Sequence, residues 1–118
     1  MSRLSECFLM HMHNPRNVGK LDNYDKEWSA KSAYCLDTVC FTVKFNDTII
    51  DKIKFRAYGC TTCIVAASFV TELVTGKKKE EVLQLSFDVI KNTLGPLPPL
   101  KERCIAFVLK ALQNGLIL

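Results

Sequence analysis

Cys35 and Asp37 flank Leu36, Cys60-Thr61-Thr62-Cys63 follows a strand-like run, and Cys104 stands far down the chain near the start of a helix-like stretch. These are groups that can do chemistry. Thiolates are soft donors suited to zinc and to iron–sulfur clusters, and an aspartate oxygen can complete such a set. Carboxylate is harder and holds these metals less persistently than thiolate. Three thiolates and one carboxylate therefore suit a site that must later let go. Cys60-x-x-Cys63, at a strand-to-helix joint, also has the geometry of a thiol–disulfide exchange pair. Packing is a third reading, because free cysteine is among the most buried residue types. It fits Cys63, one helical turn beyond Cys60, and it fits better still Cys40, beside Thr42 and Lys44, and Cys7, in an amphipathic segment. Spacing alone does not choose among these, because Cys35, Cys60 and Cys104 lie in segments far apart in sequence.

The elements that would position these groups can be read from the pattern. Residues 4–12 form a short helix with Leu4, Phe8 and Met12 on one face, ended by Asn14-Pro15. Residues 16–32 are a polar loop carrying a short edge strand. A hairpin follows, with Val39, Phe41, Val43 and Phe45 on one face of its first strand. Asn46-Asp47 is its turn, and its return strand runs from Ile49 to Tyr58 with Ile49, Asp51, Ile53, Phe55 and Ala57 together. A first long helix starts near Thr61 or Thr62 and stops at Gly76. A second covers Lys79 to about Asn92, broken at Ser86 and stopped by Gly95-Pro96. A third follows Pro98-Pro99, carries the stripe Ile105, Val108, Leu109, Leu112, and ends at Gly115. Strands first and helices afterwards give an α+β fold: a small antiparallel sheet, about three-stranded, with helices on one face. Residues 1–118 read as one domain.

Charge and hydropathy narrow the class. The net charge is +4, but the basic residues are scattered apart from Lys77, Lys78 and Lys79. Nucleic-acid binders concentrate their charge on a stripe or arm, so nucleic acid is not an expected partner. No apolar run approaches the ~20 residues of a membrane span. The start MSRLSECFLMHMHNP lacks the features of a signal peptide, and its single Arg3 makes a poor transit sequence. A cytoplasmic, reduced protein is expected, in which six cysteines are ligands, reactive thiols or core residues and not a disulfide framework.

Four segments occur in one order: HNPRNVGKLDNYD (His13 to Asp25), Cys35-Leu36-Asp37, YGCTTCIVAAS (Tyr58 to Ser68) and LPPLKERC (Leu97 to Cys104). Together they resemble the IscU/NifU-N family of iron–sulfur cluster scaffold proteins over almost the whole chain. The resemblance implies the SufE/NifU/IscU-like fold, which is the α+β arrangement read above. It implies that Cys35, Asp37, Cys60 and Cys104 hold a transient cluster, most simply 2Fe-2S, or zinc in the same site. It further implies that Cys104 accepts sulfur as a persulfide from a cysteine desulfurase. Leu97, Pro98, Pro99, Leu100 and Lys101 match the segment that a DnaK-type chaperone, with its co-chaperone, grips in many members. Apo iron–sulfur proteins would receive the cluster. Such a protein is a carrier and not a turnover enzyme. The plainer reading of Leu97 to Lys101 is a stiff turn before a helix.

The chain departs from the family pattern at three places. Leu36 replaces the usual glycine. Arg103 stands where IscU proteins have histidine; arginine there resembles the SufU branch, which binds zinc and relays sulfur, although the SufU insertion is missing. Guanidinium stays protonated and is a poor ligand, but it can favour the Cys104 thiolate by proximity. Cys63 stands where IscU has a small residue, offering an auxiliary thiol. The Cys60/Cys63 oxidoreductase remains the rival from another class. It lacks an aromatic residue directly before the first cysteine and a βαβ pattern, and it leaves Cys35, Asp37 and Cys104 unexplained.

Overall fold

The computed structural model describes residues 5–33 and 36–117. In chain order these form α1 (Glu6–His13), β1 (Lys26–Lys31), β2 (Thr38–Asn46), β3 (Ile49–Tyr58), α2 (Thr61–Val74), α3 (Lys79–Leu83), α4 (Phe87–Leu94) and α5 (Pro99–Ile117). The strands make one antiparallel sheet in the order β1-β2-β3. Its inner face carries Val39, Phe41, Val43, Ile53 and Phe55, all buried, and α2 and α5 pack there with Val65, Val70, Ile105, Val108 and Leu112. The expected α+β arrangement is the observed one.

Asp47 takes the left-handed backbone conformation (φ 57°) at the β2–β3 turn, which asparagine and aspartate tolerate better than most residues. A register shift between Lys44 and Phe45 pairs Lys44 with Lys52 and Phe45 with Ile50, so that Asp51 is the extra residue. The expected face of β3 is corrected there. Ile50 is fully buried with Ile53 and Phe55, whereas Ile49 and Asp51 are exposed. A bulge of one residue reverses the alternation beyond it.

Helix α2 is buried on most of its circumference, including Thr62, Ser68 and Thr71. A helix so enclosed must satisfy its polar side chains internally. Thr71 Oγ1 donates to the carbonyl oxygen of Ala67 at 2.8 Å. The segment Asn14 to Gly19 satisfies others. Arg16 N–H donates to Ser68 Oγ at 2.8 Å, and Asn17 Nδ2 donates to Thr71 Oγ1 at 3.2 Å. The same segment exchanges backbone hydrogen bonds with Phe55 on β3, Gly19 N–H to Phe55 O and Phe55 N–H to Asn17 O, each 2.8 Å. The block that carries much of the resemblance is thus a latch between sheet and central helix.

Two helix boundaries differ from expectation. Helix α1 begins after Ser5, whose Oγ accepts Phe8 N–H at 3.0 Å and reaches Leu94 O at 3.1 Å. Its buried positions are Phe8 and His11, with Met12 only half-buried; Leu4 lies outside the described residues. Helix α5 does not stop at Gly115 but runs on to Ile117. Gly115 is interior because the Trp28 indole lies where its Cβ would be, and Trp28 Nε1 donates to Ala111 O at 3.0 Å. The break at Ser86 is observed, with Ser86 as N-cap of α4.

Candidate metal centre

Asp37 is the last residue before β2 and is 3% exposed. Ser32 N–H donates to its backbone carbonyl at 2.9 Å, which fastens it to the end of β1. Cys60 follows β3 and is the N-cap residue of α2, yet its side chain makes no capping hydrogen bond. Asp37 instead holds the cap residue itself from the neighbouring strand: its Oδ1 accepts Cys60 N–H at 2.9 Å. A carboxylate at a helix N-terminus is favoured both by this bond and by the helix dipole.

The other oxygen faces sulfur. Asp37 Oδ2 lies 3.6 Å from Cys60 Sγ and 3.7 Å from Cys104 Sγ, and the two sulfurs are 3.4 Å apart. Cys104 Sγ also points at the Leu100 carbonyl, 3.6 Å away, one turn back in α5. One donor atom from each of Asp37, Cys60 and Cys104 falls within 4.8 Å of the others. These are a pre-assembled set of one hard and two soft donors.

Gly59 makes the approach possible. Its φ of +146° suits glycine, and a Cβ there would collide with the Asp37 carboxylate. The sequence reading missed Gly59. Its signal was a glycine at the end of a strand, directly before a candidate ligand. The reading also missed that Asp37 anchors the N-terminus of α2 through Cys60 N–H.

The other candidates are distributed as follows. Cys35, two positions before Asp37, lies outside the described residues. Cys63 is fully buried in the hydrophobic core. Arg103 is exposed and lines a groove between β1 and α5. Pro99 opens α5, where its fixed φ suits the first helical turn; Leu97 is half-buried, and Pro98, Pro99, Leu100 and Lys101 are exposed. Cys40 and Cys7 are half-buried on β2 and α1. Burial pushes the Cys7 thiol pKa up, Glu72 adds to this and Arg16 opposes it, so Cys7 favours its protonated form. Around the donors, Leu36, Tyr58 and Leu100 are 83%, 62% and 70% exposed.

A second polar cluster escaped the sequence reading. His11 is fully buried; its Nδ1 is 2.6 Å from Ser68 Oγ and its Nε2 is 3.6 Å from Glu72 Oε1. Arg16 Nε pairs with Glu72 Oε2 at 3.1 Å. This cluster pins α1 and the latch to α2.

Comparison with known proteins finds relatives of this chain in sequence and in fold. The family model described as NifU-like N terminal domain matches residues 4–117. The iron-sulfur cluster assembly scaffold protein IscU 1 of Archaeoglobus fulgidus is 35% identical over 107 residues, which cover 91% of this chain and 70% of that protein. The scaffold protein IscU of Escherichia coli K12 is 38% identical over 104 residues, covering 85% and 80%. Among solved structures, FiSufU, a SUF-system protein of Fervidobacterium islandicum AW-1, superposes with a TM-score of 0.78 at 23% identity, covering 95% of each chain. The N-terminal NifU-like protein of Brucella abortus gives 0.73 at 16% identity, covering 96% of this chain and 91% of that one. These two likenesses concern the fold. With nearly all of its length matched by the family model and with IscU relatives above 30% identity, the chain belongs to the NifU-like N-terminal domain family.

Proposed function

We propose that this protein is a scaffold on which a transient iron–sulfur cluster is assembled and from which it is delivered to apo-proteins. The observation that carries the reading is the convergence of Cys60, Cys104 and Asp37 Oδ2 at one edge of the fold. The names of the IscU relatives support it independently. Cys35 is the fourth donor, giving three thiolates and one carboxylate for a 2Fe-2S cargo. Cys104 receives sulfur as a persulfide from a cysteine desulfurase. Asp37 is the exchangeable ligand, because its hard Oδ2, on a carboxylate whose other oxygen is held by Cys60 N–H, binds iron less persistently than the thiolates do. The exposed apolar side chains of Leu36, Tyr58 and Leu100 suit hand-over to acceptors, and Leu97 to Lys101 offers an exposed segment to a DnaK-type chaperone.

A second reading keeps the site and changes the cargo. Arg103 before Cys104 resembles the SufU branch, which binds zinc and relays sulfur, and zinc accepts the same donors. The oxidoreductase reading loses support from the full burial of Cys63, because a resolving thiol must reach the mixed disulfide. The deciding experiment is anaerobic reconstitution with iron and sulfide, followed by incubation with apo-ferredoxin. A scaffold transfers its cluster, whereas a zinc relay retains zinc and accepts persulfide sulfur without building a transferable cluster.

A further inference from the structure

The edge of the sheet and the groove beside it describe a binding site of their own. Strand β1 is an outer strand, and among the described residues no strand lies beyond it. The opposite edge is managed differently: Val18 bridges to Phe55 and Lys78 to Ile49, so β3 is partly covered. An open strand edge presents backbone groups ready to pair with another chain. Against the end of β1 lies a groove of about 530 Å³, lined by Ala30, Lys31, Ser32 and Ala33 on one side and by residues of α5 on the other. Its floor on α5 is Ala106, Phe107 and Ala111, small side chains beside one ring. Its charged lining is Lys31, Arg103 and Lys110, with no carboxylate, and all three are exposed.

We propose that this groove and the β1 edge bind an extended acidic segment of a partner protein by strand addition. Backbone pairing to β1 supplies affinity without regard to sequence, and pockets for alternate side chains supply specificity. Here the specificity comes from Lys31 and Lys110, which meet aspartate or glutamate, and from Phe107, which meets an apolar side chain between them. The groove is wired to the metal centre at both walls. Ser32 N–H holds the Asp37 carbonyl, and Arg103 precedes Cys104. A segment seated there therefore lies alongside the donors without replacing one. The proposal does not depend on which cargo the site carries.

The test uses the metal-free full chain and a defined probe, the peptide acetyl-Asp-Val-Phe-Val-Glu-Glu-amide, titrated by amide NMR. The expected result is saturable perturbation of amides in residues 26–33 and 103–114. Affinity should fall at least tenfold in the Lys31→Glu/Lys110→Glu variant, and also on raising the salt from 50 to 500 mM, since exposed pairs are screened. A peptide with proline replacing the central phenylalanine should bind at least tenfold more weakly, because proline removes a ladder donor. A peptide with lysine replacing the acids should prefer the double variant. That rescue, together with an unchanged melting temperature, separates lost binding from lost folding. Equal binding of the acidic peptide to wild type and double variant, perturbation confined to other surfaces, or no binding at 1 mM would overturn the proposal.

Discussion

At the scale of single residues, Asp37 has two jobs on two oxygens: Oδ1 holds the α2 N-terminus and Oδ2 faces the sulfurs. Asp37→Asn can still accept Cys60 N–H through its amide oxygen but offers no anionic donor. Asp37→Ala loses both functions. The expected outcome is that Asp37→Asn weakens zinc binding with little change in melting temperature, while Asp37→Ala also costs about 0.5–2 kcal/mol of stability, the scale of a lost cap. Zinc titration and thermal melts on both variants check this. Gly59→Ala should reproduce the metal defect from outside the donor set, weakening zinc binding roughly 10–100-fold as misplaced ligand supports do. Forcing a side chain into its backbone conformation should add a cost of about 1–3 kcal/mol. Cys63→Ala should do the reverse, keeping the metal while losing stability on the order of 1 kcal/mol from a buried side chain. Insulin reduction by wild type that disappears in Cys63→Ala would instead favour the exchange pair. Asp37, Cys60 and Cys104 were legible in the sequence as candidates. Their convergence was not, because residues so far apart meet only through the sheet register and the helix packing. The resemblance supplied what spacing could not.

At the scale of elements, the alternation of β2, the break at Ser86 and the stripe of α5 were all readable, since each is a local period or a local breaker. Three features were not. A bulge adds one residue without changing composition, so the exposure of Asp51 and burial of Ile50 had no signal. Gly115 reads as a helix stop until Trp28, distant in sequence, is known to lie on it. The docking of α1 rests on His11, which a hydrophobic stripe ignores. Burial holds the His11 pKa below 6.5; Glu72 opposes this and Arg16 adds a smaller lowering. The unfolded chain therefore takes up a proton near its ordinary value before the folded one does. Stability from this site is present above about pH 6.5 and falls as the pH drops from there toward the lower folded value. Melting temperatures measured from pH 7.5 to 5.5 should fall more steeply for wild type than for His11→Gln; parallel slopes would show that His11 does not titrate between the states.

At the scale of the whole molecule, the sheet brings Asp37 to the start of β2 and Cys60 to the end of β3, and α5 lays Cys104 between them. The latch of residues 14–19 and the His11 cluster hold α2, whose N-terminus carries Cys60. Core and site are thus one construction, with the donors at the ends of the elements beside the exposed Leu36, Tyr58 and Leu100. No helix among the described residues is long and apolar enough to cross a membrane. The central claim is that Cys35, Cys60 and Cys104, with Asp37, form one site for a cluster that is built and then given away. The most direct measurement is anaerobic iron and sulfide reconstitution of wild type and of Cys35→Ser, Cys60→Ser and Cys104→Ser, read by iron and sulfide content and Mössbauer spectra. The account predicts a cluster in wild type that moves to apo-ferredoxin, and loss of stable cluster in each serine variant, because a site missing one thiolate exposes its iron to water. Full cluster occupancy in all three serine variants would contradict it.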